Sequence, residues 1–253
     1  MKNVIALIPA RLNSKRLNNK VLLPLKKIPL IIHVYKRVQK SKKIRDVIIC
    51  CDDLKIYKIA KKYKAKCLLT SKLHKNGTER IYEAYKKIKK KYNLVVDVQG
   101  DEPLINPVHI DKVIDFHFKN KNADIVVPNL KIKTKNNKNL VKVVSNKNND
   151  VIYLSRMDVP LNFEKKEIFL QKHLSIVSFK PEALKKFCSC NQTINEKKEN
   201  IELLRAIDLK MSIKTFELHG DSFSIDVKSD YLKAKNYIKK DKIIKSYIPV
   251  SYT

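Results

Sequence analysis

The chain has 253 residues, of which 43% are hydrophobic, and a formal net charge of +30. This length and apolar content indicate a folded globular protein with one large or two small domains. No apolar run approaches the ~18 residues needed to span a bilayer, and the amino terminus lacks a secretory signal pattern. We therefore expect a cytoplasmic protein without membrane insertion, whose five cysteines are reduced.

The first half of the chain alternates strand-like and helix-like segments. Apolar runs predict strands at 4–8, 47–51, 67–69, 94–98 and 125–127. Helical spacing predicts helices at 30–38, from a cap at Asp52 or Asp53 through Tyr63, at 78–92 and at 109–118. This alternation predicts an α/β fold with a mostly parallel sheet between helices.

The second half is less regular. Residues 131–150 are rich in Lys and Asn and are expected to form a mobile connection around a short strand at 141–144. Further predicted elements are strands at 152–154 and 174–179, helices from Pro181 and at 196–210, extended chain at 216 and 223–227, and a helix from a Ser229 cap to 238. We predict a single domain over residues 1–253, with a flap or dimerisation region at about 131–180.

A polar, cation-rich loop follows the first predicted strand. It holds Arg11, Lys15, Arg16 and Lys20. A loop at the carboxyl end of a parallel strand is where open α/β sheets bind ligands. Four cations at this position favour a polyanion, and a nucleoside triphosphate is the obvious small one.

The large positive charge allows two interpretations. A basic nucleic-acid-binding protein is the alternative outside enzymology. However, Lys is spread along the whole chain without a recognisable nucleic-acid motif, so we expect no nucleic-acid partner. Only seven basic residues are Arg, and in a lysine-rich chain these favour roles that need a bidentate donor.

Two glycine turns follow predicted elements. Asp101 and Glu102 follow the strand at 94–98, where a carboxylate either holds Mg²⁺ against phosphate or caps the next helix. Gly77 opens a helix whose amino terminus suits an anion or nucleotide edge, although a plain capped helix fits equally well. Asp226 is a candidate second metal ligand, or a helix cap.

The chain resembles the 3-deoxy-manno-octulosonate cytidylyltransferases, the CMP-Kdo synthetases of lipopolysaccharide synthesis, from residue 4 to about residue 235. The matching motifs are, in chain order, Ile8-Pro-Ala-Arg11 with Arg16 and Lys20, Gly77-Thr-Glu-Arg80, Val98-Gln-Gly-Asp-Glu-Pro103, Val141-Lys-Val-Val144, Ser155-Arg156 with Pro160, His173, and Ile201-Glu-Leu-Leu-Arg205. No single motif is decisive, but their ordered combination is fairly specific.

The resemblance implies a Rossmann-like three-layer nucleotidyltransferase fold, a homodimer and a Mg²⁺-dependent reaction of CTP with an acidic sugar. It implies catalytic roles for Arg11, Arg16, Lys20 and Asp101, and Mg²⁺ binding by Asp101 and Asp226. The implied nucleotide contacts are Pro9, Ala10, Arg11, Arg16, Lys20, Gly77, Thr78, Arg80 and Gln99. The implied sugar contacts are Gln99, Arg156, His173 and Glu202.

Departures from the family pattern cluster on the implied sugar side. The glycine and tyrosine that the family usually shows after the histidine are Ser175 and Val177 here, and the family's Glu-Gln pair is Glu202-Leu203. Losing hydrogen-bond donors changes which sugar hydroxyls or amines a pocket accepts. The alternatives to Kdo are therefore its 8-amino analogue or a nonulosonic acid, and a third possibility is an inactive homologue.

Overall fold

The computed structural model describes residues 2–14, 16–133, 136–161, 163–164, 169–220 and 223–247. The chain divides into two compact units, which are Met1–Asp111 with Ser222–Thr253 (unit 1) and Lys112–Asp221 (unit 2). The prediction of a single domain with a flap or dimerisation region stays a prediction. None of the described helices is both long enough and apolar enough to cross a bilayer.

Unit 1 is built on a parallel sheet with the strand order β5-β4-β1-β6. Its elements are β1 Val4–Ala10, β2 Pro24–Leu25, β3 Ile28–Pro29, α1 Leu30–Val38, β4 Asp46–Cys51, α2 Leu54–Lys62, β5 Cys67–Leu69, α3 Gly77–Lys87, β6 Leu94–Val98 and α8 Lys228–Lys240. A 3-10 helix, Lys20–Leu22, ends the loop after β1. Helix α4, Pro107–Lys119, includes the boundary between the units.

The register of unit 1 places three strand ends at one edge. Every residue of β1 is buried, as a strand in the middle of a parallel sheet requires. Ala10 pairs with Cys51 of β4, and Leu7 pairs with Asp97 of β6. The segments that follow β1, β4 and β6 therefore leave the sheet at the same carboxyl edge.

Unit 2 is a mixed sheet with helices. Its elements are β7 Ile125–Lys133, β8 Lys142–Ser145, β9 Val151–Ser155, β10 Phe169–His173, β11 Ile176–Phe179, α5 Pro181–Cys188, α6 Ile194–Glu199, α7 Leu204–Asp208 and β12 Ile213–Leu218. The long strand β7 pairs in parallel with β12 and antiparallel with β10 and β11. Strands β8 and β9 form an antiparallel hairpin that continues from β10.

Most of the predicted elements are confirmed. Three of them, α1, β5 and β6, have the predicted bounds. Asp53 caps α2, since its side chain accepts from the Lys55 N–H at 2.8 Å. The fold is confirmed as α/β with a parallel sheet flanked by helices in unit 1.

Several element predictions are wrong in detail. One helix at 196–210 is wrong, because Asn200 adopts a left-handed conformation (φ 52°) that ends α6 before α7 begins. The strand predicted at 174–179 begins only at Ile176, and a separate strand, β10, precedes it. Ser229 does not cap α8, because the Asp230 carboxylate accepts the N–H groups of Asp226 and Val227 at 3.0 and 3.1 Å.

We predict that the protein loses stability as the pH falls from about 6.5 to about 4. Burial lowers the pKa of His33 and of His117 to about 4. In this window the unfolded chain binds more protons than the folded chain, so acid favours unfolding by up to about 3 kcal/mol per histidine. Urea denaturation at several pH values measures the free energy of unfolding.

The variant His117→Asn tests this pH dependence, because His117 is buried between Ser178 Oγ (2.8 Å) and the Ala123 carbonyl (3.2 Å). We expect a shallower fall of stability with acid in this variant. His219→Asn is the control, since the His219 side chain is 89% exposed and should leave the slope unchanged. Equal slopes in all three proteins would contradict the prediction.

Candidate active site

The loop after β1 brings two cations onto two carboxylates within unit 1. Arg16 Nη2 lies 2.8 Å from Asp226 Oδ1. Lys20 Nζ lies 2.7 Å from Asp101 Oδ2 and 3.4 Å from Asp226 Oδ1. Four of the residues implied by the resemblance therefore lie together, at the carboxyl edge of the parallel sheet.

A backbone hydrogen bond joins the two segments that carry these carboxylates. The fully buried Ile225 donates its N–H to the Asp101 carbonyl at 3.0 Å. The Asp226 N–H donates to Asp230 in the first turn of α8. Asp226 therefore does not cap α8. Asp230 caps this helix and accepts the Asp226 N–H, whereas the Asp226 carboxylate pairs with Lys20.

The other two predicted cations of the loop are Arg11 and Lys15. Arg11 follows the last residue of β1 and is exposed to solvent. Lys15 lies outside the described residues. The roles of Pro9, Ala10 and Arg11 in nucleotide binding stay predictions.

Gly100 is required by a close backbone approach. A Cβ at this position would lie 2.6 Å from the carbonyl oxygen of Pro9 and 3.0 Å from Ile31 Cδ1. Because the obstacle is backbone, β1 and the turn before Asp101 would have to separate. Glycine therefore lets the turn that carries Asp101 pack against the strand that leads into the cationic loop.

We predict that Gly100→Ala lowers the free energy of unfolding by about 2 kcal/mol, since overpacking forces the backbone to move. Gly77→Ala is the matched comparison. Its Cβ would meet only side-chain atoms, Gln99 Nε2 at 3.1 Å and Pro9 Cγ at 3.2 Å, so we expect a smaller loss. Thermal and urea denaturation measure both variants, and equal losses would contradict the steric argument.

The glycine turn at Gly77 lies against Pro9 and Gln99. The Asn76 side chain caps α3 by accepting the Glu79 N–H at 2.8 Å. Gln99 is oriented by a 2.9 Å hydrogen bond from its Nε2 to Asp97 Oδ2. Pro9, Gly77 and Gln99 thus form one packed surface beside the carboxyl end of β1.

The side chains of Thr78 and Arg80 are buried. Arg80 donates to Thr70 Oγ1 at 2.8 Å, to the Ser71 carbonyl at 3.0 Å and to Asp52 Oδ2 at 3.3 Å. Its guanidinium is therefore engaged with protein groups, and direct contact with a nucleotide stays a prediction. Asp52, predicted from the sequence only as a helix cap, lies at the edge of the site.

The donor set at Asp101 and Asp226 fits a magnesium ion. Both are hard carboxylate oxygens, they converge on one cationic atom, and their side chains are only about a quarter exposed at 26% and 22%. The described residues contain no group of three or more His, Cys, Asp or Glu side chains able to hold a metal. Two carboxylates suffice for Mg²⁺, which keeps water and substrate phosphates as its other ligands.

The implied sugar residues of unit 2 occupy defined positions. Arg156 donates to the carbonyls of Glu199 (2.8 Å), Lys138 (3.0 Å) and Asn200 (3.0 Å), which orient its guanidinium without neutralising it. The buried Lys142 ammonium holds the same segment by donating to the Arg156 carbonyl at 2.7 Å.

His173 and Glu202 lie on different elements of unit 2. His173 ends β10, and burial followed by the charge of Lys172 lowers its pKa to about 4. Its Nδ1 is buried and accepts or donates no hydrogen bond among the described residues. Glu202 precedes α7, and its carbonyl accepts the Arg205 N–H at 3.1 Å. The sugar contacts implied for these residues stay predictions.

Comparison with known proteins supports the resemblance. A family model described as "Cytidylyltransferase" matches residues 5–243. The 3-deoxy-manno-octulosonate cytidylyltransferase of Thermodesulfovibrio yellowstonii is 38% identical over 241 residues, covering 89% of this chain and 94% of that protein. The protein of the same name from Rickettsia prowazekii is 36% identical over 246 residues, covering 95% and 98%.

A solved structure shares the fold. The structure of CMP:2-keto-3-deoxy-manno-octonic acid synthetase complexed with CTP superposes with a TM-score of 0.88 at 25% sequence identity, covering 94% of this chain and 99% of that one. The predicted nucleotidyltransferase fold is confirmed by this match. The family match extends over nearly the whole chain, so this chain belongs to the cytidylyltransferase family and is a nucleotidyltransferase.

Proposed function

We propose that this protein transfers the cytidylyl group of CTP to Kdo, a 3-deoxy-2-ulosonic acid, and releases pyrophosphate, for the synthesis of lipopolysaccharide. The observation that carries the proposal is Lys20 bound between Asp101 and Asp226 at the edge of the parallel sheet. Two carboxylates can hold a metal ion, and the adjacent cations can bind the phosphates of a nucleoside triphosphate. The names of the relatives and of the solved structure supply the nucleotide and the sugar.

The cations of the loop bind and orient the triphosphate. Arg16 and Lys20 already lie at the carboxylates, and the exposed Arg11 lies at the start of the same loop. Fixed positive groups stabilise charge that develops on the phosphate oxygens in the transition state, without reorganisation during the reaction. When the triphosphate arrives, we expect Lys20 to exchange its carboxylate partners for phosphate oxygens.

Asp101 and Asp226 would hold Mg²⁺ together with oxygens of the nucleotide. When bound, the ion offsets negative charge on the triphosphate and on the departing pyrophosphate. The hydrogen bond from the Ile225 N–H to the Asp101 carbonyl holds together the two segments that carry these carboxylates. Holding these segments together lowers the entropic cost of assembling the metal site.

The transfer itself is a displacement at the α-phosphorus. The anomeric hydroxyl oxygen of the sugar forms a bond to this phosphorus as the bond to the bridging oxygen of pyrophosphate breaks, and the hydroxyl proton passes to water. The protein contributes chiefly position and electrostatics, as in other phosphoryl transfers. Arg156 is the expected partner of the sugar carboxylate, since guanidinium binds carboxylate in a bidentate manner.

Kdo is the first sugar to test. Two apolar departures from the family pattern, Val177 and Leu203, are 5% and 3% exposed and belong to the hydrophobic core of unit 2. Core residues of this kind do not by themselves require a different sugar. The 8-amino analogue of Kdo and nonulosonic acids remain the competing substrates in the same assay.

Pyrophosphate release tests the proposal. We expect turnover with CTP and Kdo in the presence of Mg²⁺, little turnover when UTP, ATP or GTP replaces CTP, and loss of activity on chelation with recovery on adding Mg²⁺. Turnover with a nonulosonic acid but not with Kdo would show that the sugar substrate is a nonulosonic acid and not Kdo. Binding of nucleic acid with a steep salt dependence, without any turnover, would support the nucleic-acid alternative.

The resemblance also supports a homodimer and a cytoplasmic location. Both are proposals for this chain. Light scattering after size-exclusion chromatography measures the mass in solution, and twice the 29.5 kDa of the chain is the expected value. Fractionation of cells that produce the protein tests the location.

A further inference from the structure

Asp52 connects the cationic loop to the neighbouring strand. It follows β4 directly, and Ala10 pairs with Cys51, so Asp52 lies level with the first residues after β1. Asp52 Oδ1 accepts the Leu12 N–H at 2.9 Å. Its side chain is only 12% exposed, so this hydrogen bond is largely protected from water.

The second oxygen of Asp52 is bound by Arg80. Arg80 Nη2 lies 3.3 Å from Asp52 Oδ2, and Nη1 donates to Thr70 Oγ1 and to the Ser71 carbonyl. Thr70 in turn donates its hydroxyl to the Cys51 carbonyl at 3.0 Å. Arg80 binds these three acceptors through two nitrogens of a planar guanidinium, an arrangement that the single ammonium nitrogen of a lysine does not offer.

We propose that Asp52 is a positioning residue for the triphosphate-binding loop, and that Arg80 acts through Asp52. This inference rests on the proposed function. Asp52 fixes the backbone at Leu12 and thereby the direction in which Arg11 and the rest of the loop leave β1. Arg80 holds the carboxylate in place and offsets its negative charge, which would otherwise repel the phosphates of CTP.

The two functions of Asp52 can be separated by mutation. Asp52→Asn keeps an oxygen that accepts the Leu12 N–H, whereas Asp52→Ala removes it. Arg80→Ala leaves a shielded carboxylate without its counter-charge beside an anion-binding loop. The charge argument therefore predicts that Asp52→Asn, combined with Arg80→Ala, restores part of the loss caused by Arg80→Ala alone.

The experiment measures the dissociation constant of CTP by calorimetry, the KM for CTP and kcat by pyrophosphate release, and the inhibition constant of cytidine. We expect Asp52→Ala and Arg80→Ala each to raise the dissociation constant and the KM for CTP about tenfold. We expect Asp52→Asn, alone or combined with Arg80→Ala, to stay within about threefold of the wild type. Cytidine has no phosphates, so its inhibition constant should not change.

Arg45→Ala is the matched control, because Arg45 is exposed and precedes the opposite end of β4. It should leave every constant unchanged. If Arg80→Ala unfolds, the comparison of Asp52→Ala with Asp52→Asn still decides, since equal effects of the two would overturn the positioning role. Weaker cytidine inhibition in parallel with CTP would also overturn it, as general disruption predicts. A wild-type protein that neither binds CTP nor releases pyrophosphate would instead overturn the proposed function together with this inference.

Discussion

Asp101→Asn is expected to lower kcat for pyrophosphate release by about a thousandfold at saturating CTP and sugar. The amide keeps the size of the side chain but removes the charge that binds the metal. Loss of this metal ligand weakens the electrostatic stabilisation of the transition state, which is the main contribution of the protein to phosphoryl transfer.

Steady-state kinetics at several Mg²⁺ concentrations measure this effect. We expect the variant to need more Mg²⁺ for half-maximal activity as well as to turn over more slowly. Asp150→Asn is the matched control, because Asp150 is 40% exposed and pairs with Lys214 within unit 2. A variant with the wild-type kcat and the wild-type dependence on Mg²⁺ would remove Asp101 from the metal site.

The parallel sheet and the loop after β1 could be predicted because their signals are local. Continuous apolar runs identify buried strands whatever they pair with, and β5 and β6 begin and end as predicted. Asp101 and Lys20 were identified because a turn after a strand reaches the edge where open α/β sheets bind ligands. Their 2.7 Å contact confirms that these distant segments meet.

Arginine partners could not be predicted, because they depend on tertiary contacts. The scarcity of Arg indicates roles that need several hydrogen-bond donors, such as binding a phosphate or carboxylate. In the structure, however, four of the seven arginines use at least three side-chain hydrogen bonds on acceptors within the protein. These four are Arg37, Arg80, Arg156 and Arg205. The composition of the chain indicates that a guanidinium with several donors is needed at these positions. It does not indicate whether the acceptors belong to the protein or to a substrate.

The break between α6 and α7 was missed for a similar reason. Residues 196–210 have helical composition, and nothing local marks Asn200 except its tolerance of a left-handed conformation. A buried ion pair joins the two helices across this break. Arg205 Nε and Nη2 donate to the two carboxylate oxygens of Glu196 at 2.7 and 2.8 Å.

Arg205→Met is expected to destabilise the protein by about 3–5 kcal/mol, the usual cost of removing one partner of a buried ion pair. Arg205 and Glu196 are 1% and 3% exposed, so the remaining carboxylate would be shielded from water. Arg205 also donates to the Cys190 carbonyl at 3.1 Å and lies over the Phe187 ring. The substitution therefore also weakens the link between α5 and α7.

The double variant Arg205→Met with Glu196→Gln separates the charge from the packing. Burial would raise the pKa of Glu196, but hydrogen bonds from Arg205 and Gln192 and the charge of Arg205 outweigh it and lower this pKa. The pair therefore stabilises the fold above the ordinary pKa of a glutamate, and this contribution is lost as the pH falls. We expect urea denaturation at pH 7 to show that the double variant recovers part of the loss, because no unpaired charge remains buried. An equal loss in both variants would mean that packing around Phe187, and not the ion pair, stabilises this part of unit 2.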